Sequence, residues 1–272
     1  MKWSYIIILL LFATMRGYSQ STLTFGGQDV YDVLFRQSVK SCDEFMCRFN
    51  EEEFFPGLDE ADPQKGKKNF LSLFDYDLSQ SSDKESFMKD VFHFYDIVKQ
   101  YNVKLKYESK NWFAELRVNF IYKKKAVEIS LVLQTEKTPK DLSCWTIVGV
   151  KGLEKLGYAD SSQRMVISPE QHEAEFMELE SDFKFYSKQF SQFRSYHAGL
   201  DPLSYFFALV ETGTLTFDRR ISTTFHFFDV PSYVFSVGYF NRKKSNTGWL
   251  ITEYKEVSQE EKKLLLKQLF GK

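Results

Sequence analysis

The chain has 272 residues, with 36 Lys+Arg against 37 Asp+Glu, 43% hydrophobic residues and 17% aromatics. At ~100–200 residues per domain this is one large domain or two small ones. A formal net charge of -1 gives no electrostatic reason to expect a nucleic acid or an anionic membrane as the main partner, and the ordinary apolar content argues against wholesale disorder. Three cysteines are too few for a disulfide scaffold.

The first residues read as an address. Met1-Lys2 supplies an early positive charge, Tyr5 to Ala13 is an apolar run, and Gly17-Tyr18-Ser19 puts small residues at the -3 and -1 positions of a cut before Gln20. This is the layout of a secretory signal peptide over residues 1–19. The run is broken by Arg16 and falls short of the ~20 apolar residues a membrane span needs. The expectation is therefore export to a periplasm or the cell exterior, with no transmembrane segment after cleavage.

Two helix-then-sheet units are expected, over 28–151 and 168–272. The first opens with a helical stripe of Tyr31, Phe35, Ser38, Cys42, Phe45 and Phe49, which Asp29 can cap. Cys42 and Cys47 sit about 140° apart around such a helix and should not pair with each other. A Cys42–Cys144 disulfide stays open beside the simpler expectation of small buried hydrophobes. Residues 51–84 are an extra stretch holding a short helix near Phe70–Phe74. A third stripe follows at Phe87, Val91, Phe94, Val98 and Tyr101. Strands are expected at 104–108, 113–123, 127–134 and 143–150, where apolar and polar residues alternate.

After a linker at 151–167 the plan recurs. Ser168-Pro169-Glu170 starts a helix whose stripe is Phe176, Leu179, Phe183, Tyr186, Phe190 and Phe193. Strands are expected at 214–217, 222–228, 233–241 and 248–254, and a final helix at 259–270. The two halves match position by position: Val91 with Leu203, Phe94 with Phe206, Val98 with Val210, and Trp145 with Trp249. Each of the paired tryptophans is expected to anchor the core of its own half. Apolar residues on both parities of 233–241 point to a strand covered on both faces.

Helices followed by antiparallel strands make an α+β class. The element order of each half resembles the nuclear-transport-factor-2-like (NTF2-like) fold, with the cystatin-like layout as a rival and a single continuous domain with a long mixed sheet as a third option. The resemblance implies a tandem repeat of two units with curved sheets, packed as a pseudo-dimer within a monomer. The Tyr-Ser-Gln end of the leader, with Phe45-Met-Cys-Arg-Phe-Asn50, Ile167-Ser-Pro-Glu-Gln-His-Glu173 and Asn246-Thr-Gly-Trp-Leu-Ile251, resembles a family of secreted Bacteroidetes proteins. That family brings no established activity.

Machinery for chemistry is sparse. The sequence contains no phosphate-binding G-x-x-x-x-G-K-[ST], no G-x-G-x-x-G and no G-x-S-x-G elbow. Its four histidines, His93, His172, His197 and His226, form no H-x-x-x-H pair, so neither a metal nor another cofactor is expected. The acidic stretch of Glu51 to Glu53, Asp59, Glu60 and Asp62 lacks calcium-loop spacing. Asp90, His93, Tyr95 and Asp96 flank a helix stripe and are expected to be solvated. Arg117 and His226 align across the halves on the sheet face opposite the main apolar alternation, with Glu115 and Asn119 as neighbours of Arg117. They are the candidate ligand-binding residues; no catalytic residue is expected. The basic clusters Lys123 to Lys125 and Arg242 to Lys244 fall in strand connections. The functional expectation is an exported, non-catalytic binding or structural module acting on an unknown small apolar ligand or a protein. The alternatives are a carrier or isomerase-like enzyme with an apolar cone pocket, and an inhibitor or immunity-type interaction protein.

Overall fold

The computed structural model describes residues 24–25, 28–29, 38–80, 83–157, 201–242 and 245–271. In chain order these give β1 (Ser38–Val39), α1 (Cys42–Phe49), α2 (Lys65–Leu71), α3 (Tyr76–Gln80) and α4 (Lys84–Gln100). The meander β2 (Trp112–Tyr122), β3 (Lys125–Lys137) and β4 (Ser143–Lys151) follows, ending in a 3-10 turn at Leu153–Leu156. Then come α5 (Pro202–Glu211), β5 (Leu215–Phe227), β6 (Tyr233–Phe240), β7 (Thr247–Glu256) and α6 (Gln259–Leu269). No helix among the described residues is long and apolar enough to cross a membrane.

The fold is α+β, built on one curved sheet of order β1-β7-β6-β5-β2-β3-β4. Six strands run antiparallel, and only the two-residue β1 lies parallel to its neighbour β7. The two meanders join through their first strands, β2 against β5, with Trp112 opposite Phe227 and Tyr122 opposite Leu215. The turn between β2 and β3 has only two residues, Lys123 and Lys124, with φ of 48° and 65°. Two positive φ values are what a tight hairpin of this twist requires.

The sheet carries side chains of opposite character on its two faces. Trp112, Ala114, Leu116, Val118 and Phe120 point to a helical face. There α1–α4 pack over Phe227, Phe235, Val237 and Ile251, while α5 and the 3-10 turn pack over Val118, Phe120, Ile129 and Leu131. The space under α1–α4 is filled by rings: Phe94 stacks on Tyr233 at 4.4 Å, Phe49 on Phe235 at 5.5 Å and Phe227 on Phe235 at 4.8 Å. Three buried asparagines tie this layer together. Asn50 exchanges two hydrogen bonds with the backbone of Leu105, at 2.8 and 3.0 Å. Asn69 accepts from the Phe55 N–H and donates to the carbonyls of Arg48 and Glu53. Asn246 accepts from the Tyr76 N–H and donates to the Phe74 carbonyl. Gly248, at φ 96°, lets β1 close on β7, because a Cβ there would lie 1.8 Å from the Val39 carbonyl oxygen.

Several expected elements take other forms. Residues 104–108 make no strand, because the Asn50 side chain meets the Leu105 backbone where a neighbouring strand would. The two short strands expected at 214–217 and 222–228 are one strand, β5. The expected first helix is not continuous: Ser38–Val39 is a strand with Val39 paired to Gly248, and α1 starts at Cys42, where the Ser41 hydroxyl accepts from the Glu44 N–H. Asp29 lies in a two-residue ladder with Thr24–Phe25. Residues 31–37, the helix expected from 168, its stripe at 176–193, and His172 and His197 lie outside the described residues. Trp145 is 41% exposed, so it does not anchor a core; among the described residues the buried tryptophan is Trp112. The three cysteines are free. Cys42 packs against the core, and burial, with Asp43 adding, pushes its thiol up to about 12. The second cover over β6 is α6: Leu265, Leu266, Leu269 and Phe270 lie on Phe113, Val132, Phe228 and Val234.

Candidate functional site

The face opposite α1–α5 is where the polar side chains of the strands converge. Phe113, Glu115, Arg117 and Asn119 of β2 point there, and so does His226 of β5, which stands opposite Phe113 on one side and Ser236 of β6 on the other. α6 covers only part of this face. A capping box of Ser258 and Glu261 starts it. The Lys262 ammonium, donated to the carbonyls of Phe228, Val230 and Pro231, ties its first half to the β5–β6 connection. Burial lowers the Lys262 pKa. At the other end Phe270 meets Phe113 at 5.4 Å. Gly149 leaves room for that ring, since a Cβ there would lie 2.8 Å from it.

Between α6 and the sheet is a cleft of about 340 Å³. Its walls are mostly apolar, made by Phe228, Val234, Leu265 and Leu269, with Glu253 and Gln268 also on the lining. Its floor is a hydrogen-bonded chain: Ser236 Oγ to His226 Nδ1 at 3.0 Å, His226 Nε2 to Glu115 Oε2 at 3.1 Å, and Lys151 Nζ to Glu115 Oε1 at 2.5 Å. With Nε2–H donated to the carboxylate, Nδ1 accepts the serine hydroxyl. The hydrogen bond from His226, opposed by burial and reinforced by Lys151, holds the Glu115 carboxyl at about 2, far below its ordinary 4.5. Lys255 stands at the rim, 3.3 Å from Glu261 of α6.

A serine, a histidine and a carboxylate in line form the order of a nucleophile relay. Ser236 sits in mid-strand, paired with His226 on one side and Glu253 on the other, and not on a sharp strand-to-helix turn of the kind that presents a nucleophilic serine. Glu115 answers to Lys151 as well as to His226, which makes it the hub of an ionic floor.

The two candidate residues from the sequence part company. His226 lies in the cleft. Arg117 is on the same face, one pair further along β2, where it forms an ion pair with Glu128 at 2.6 Å outside the cleft. Glu115, their shared neighbour, is the residue that organises the floor. Ser236 and Lys151 come from strands whose pairing no local pattern reveals. Of the other polar groups considered, Asp96 is spent on Lys67, Tyr95 on Glu51 (which Lys99 also pairs) and Asp62 on Lys68, while Asp90 and His93 are exposed on α4. Comparison of the chain with protein-family models, with curated proteins and with solved structures finds no match.

Proposed function

We propose that the chain is an exported, non-catalytic binding module whose ligand is a small molecule with an apolar body and one hydrogen-bonding group. The observation that carries this reading is the cleft under α6, about 340 Å³ with mostly apolar walls and a connected polar floor. Ligand sites have this character: a mostly apolar concavity of ~300–1,000 Å³ with a few convergent polar groups. The helical face is a poorer host, because its own phenylalanines occupy the space a cone pocket would need. Export, to a periplasm or beyond, rests on the leader-like residues 1–19.

The architecture is read as a tandem repeat of NTF2-like units forming an internal pseudo-dimer. In its favour, each half runs helix, then a three-stranded meander, and the halves meet through equivalent first strands. An irregularity interrupts β3·β4 between Val132 and Leu133, and another interrupts β6·β7 between Ser236 and Val237. The offset that lays one on the other also carries Thr135 onto Tyr239 and Trp145 onto Trp249, two opposed pairs.

Native mass spectrometry of the full chain purified from its own cells tests the binding reading. The expected result is a retained adduct that disappears in Leu265→Trp, a change that fills the cleft and leaves the polar floor intact. An adduct equally retained by a folded Leu265→Trp, or no adduct in the native chain, overturns it.

A further inference from the structure

We infer that the open half of β5 is a strand-addition site for an extended, acidic segment of a partner protein. β5 pairs with β2 along its whole length, Leu215 to Phe227, but with β6 only from Thr224 to Phe227. Residues 215–223 therefore present a backbone edge that no strand among the described residues covers, although β5 lies in the middle of the sheet order. Six consecutive residues there, 216–221, are exposed. An unpaired run of N–H and C=O groups is a template for one more strand.

The edge opens onto a recess of about 270 Å³ lined by Arg220, Ile221, Ser222, Thr223, Tyr239 and Trp249. Its floor is aromatic: Tyr239 meets Trp249 edge-on at 5.4 Å, and Trp249 leans on Phe225 at 4.8 Å. Phe217 and Tyr239 are 65% and 56% exposed, too much for side chains serving only their own core. A strand laid ~4.8 Å from β5 would bond the free edge and set alternate side chains over these rings.

Charge selects the partner. Arg219 and Arg220 are exposed and have no carboxylate within ion-pair distance among the described residues; Arg220 makes a single long contact, 3.5 Å to the Thr223 hydroxyl. Lys123 and Lys124 turn the hairpin next to Leu215, and Asp218 is the one acid on the open half of β5. Acidic side chains on an added strand would meet this surplus. A second copy of the chain fits worse: antiparallel self-pairing of the open half opposes the two arginine pairs, and like charges directly opposite each other destabilise. The register irregularities that leave Asp218 and Ile221 unopposed also keep the edge from lying flat against its own copy.

The test uses the full chain and a capped seven-residue peptide alternating glutamate with valine and phenylalanine, with a lysine-for-glutamate peptide as control. Fluorescence anisotropy reads affinity, and hydrogen exchange by mass spectrometry reads location. The acidic peptide should bind saturably below about 1 mM and slow exchange of the amides within 215–223. Binding should fall about tenfold or more for the lysine peptide and for the double variant Arg219→Glu with Arg220→Glu, whose side chains are exposed and whose fold circular dichroism checks. Leu265→Trp should bind the peptide normally, which separates this site from the cleft. No saturable binding, equal binding of the lysine peptide, protection confined to other segments, or a concentration-dependent dimer that protects these same amides would each overturn the inference.

Discussion

Glu115→Gln tests the polar floor most directly. The carboxylate takes one hydrogen bond from His226 and one from Lys151, and its pKa falls from 4.5 to about 2. At ~1.4 kcal/mol per tenfold, that difference is worth about 3 kcal/mol in a closed site. The cleft is open to water, and screening reduces ion-pair energies, so about 1–2 kcal/mol is the contribution expected. The direction with pH follows from linkage. A carboxyl whose folded pKa lies below its unfolded value stabilises fully above about pH 5, loses that contribution as the pH falls towards about 2, and contributes nothing below. Glutamine keeps the shape and removes the charge. Urea unfolding followed by tryptophan fluorescence should therefore show Glu115→Gln about 1–2 kcal/mol less stable near neutrality. The gap should narrow steadily as the pH is lowered from about 5 to about 3. A gap that stays constant over that range, or no gap near neutrality, would refute the idea that Glu115 is held ionised by His226 and Lys151.

Three further outcomes check the packing. Trp112→Ala should cost ~3–5 kcal/mol, because the ring is fully buried, whereas the half-exposed Trp145 should cost about 1 kcal/mol or less on the same change; equal losses in denaturant unfolding would contradict the assignment of the helical face. Asn69→Ala leaves the Phe55 N–H and the Arg48 and Glu53 carbonyls without their partner, so a loss of about 2–4 kcal/mol is expected in the same assay. Lys124→Gly should raise the thermal midpoint, with a gain of about 0.5–1 kcal/mol, because a residue at φ 65° is held where side chains are strained. A lower midpoint would mean the hairpin is not the tight two-residue turn described.

Local pattern carried much of this fold and stopped at identifiable points. The stripe Phe87, Val91, Phe94, Val98 needs only its own spacing to form a helix, and it forms α4. The alternation in 113–123 needs only period two, and it forms β2. Residues 104–108 alternate just as well, yet the partner of Leu105 is a side chain 55 positions away, a competitor that no window of sequence contains. The same holds for the break in the first helical stripe at Ser38–Val39, which follows the pairing of Val39 with Gly248 from the far end of the chain. Trp145 misled for a related reason: large apolar residues favour burial, but here its strand is the last in the sheet order, and an edge gives a ring one side to pack against.

The candidate site divides along the same line. That Glu115, Arg117 and His226 share a face follows from parity alone, since strand side chains repeat every two residues. What makes a site of them is cross-strand register, which sets His226 opposite Ser236 and brings Glu115 within reach of Lys151 from β4. Parity treats Arg117 and His226 as equals. Register separates them, because Arg117 meets Glu128 on one side of Glu115 while His226 meets the region α6 overhangs on the other. The open edge of β5 is likewise a fact of register: β6 leaves it after Thr224, and four of the six exposed residues beyond, 218–221, read from sequence alone as a break between two short strands. Both surfaces thus arise where a long strand outruns its neighbour or a helix covers only part of a face, so each is tested most sharply by changes that alter what covers it and leave the strand itself intact.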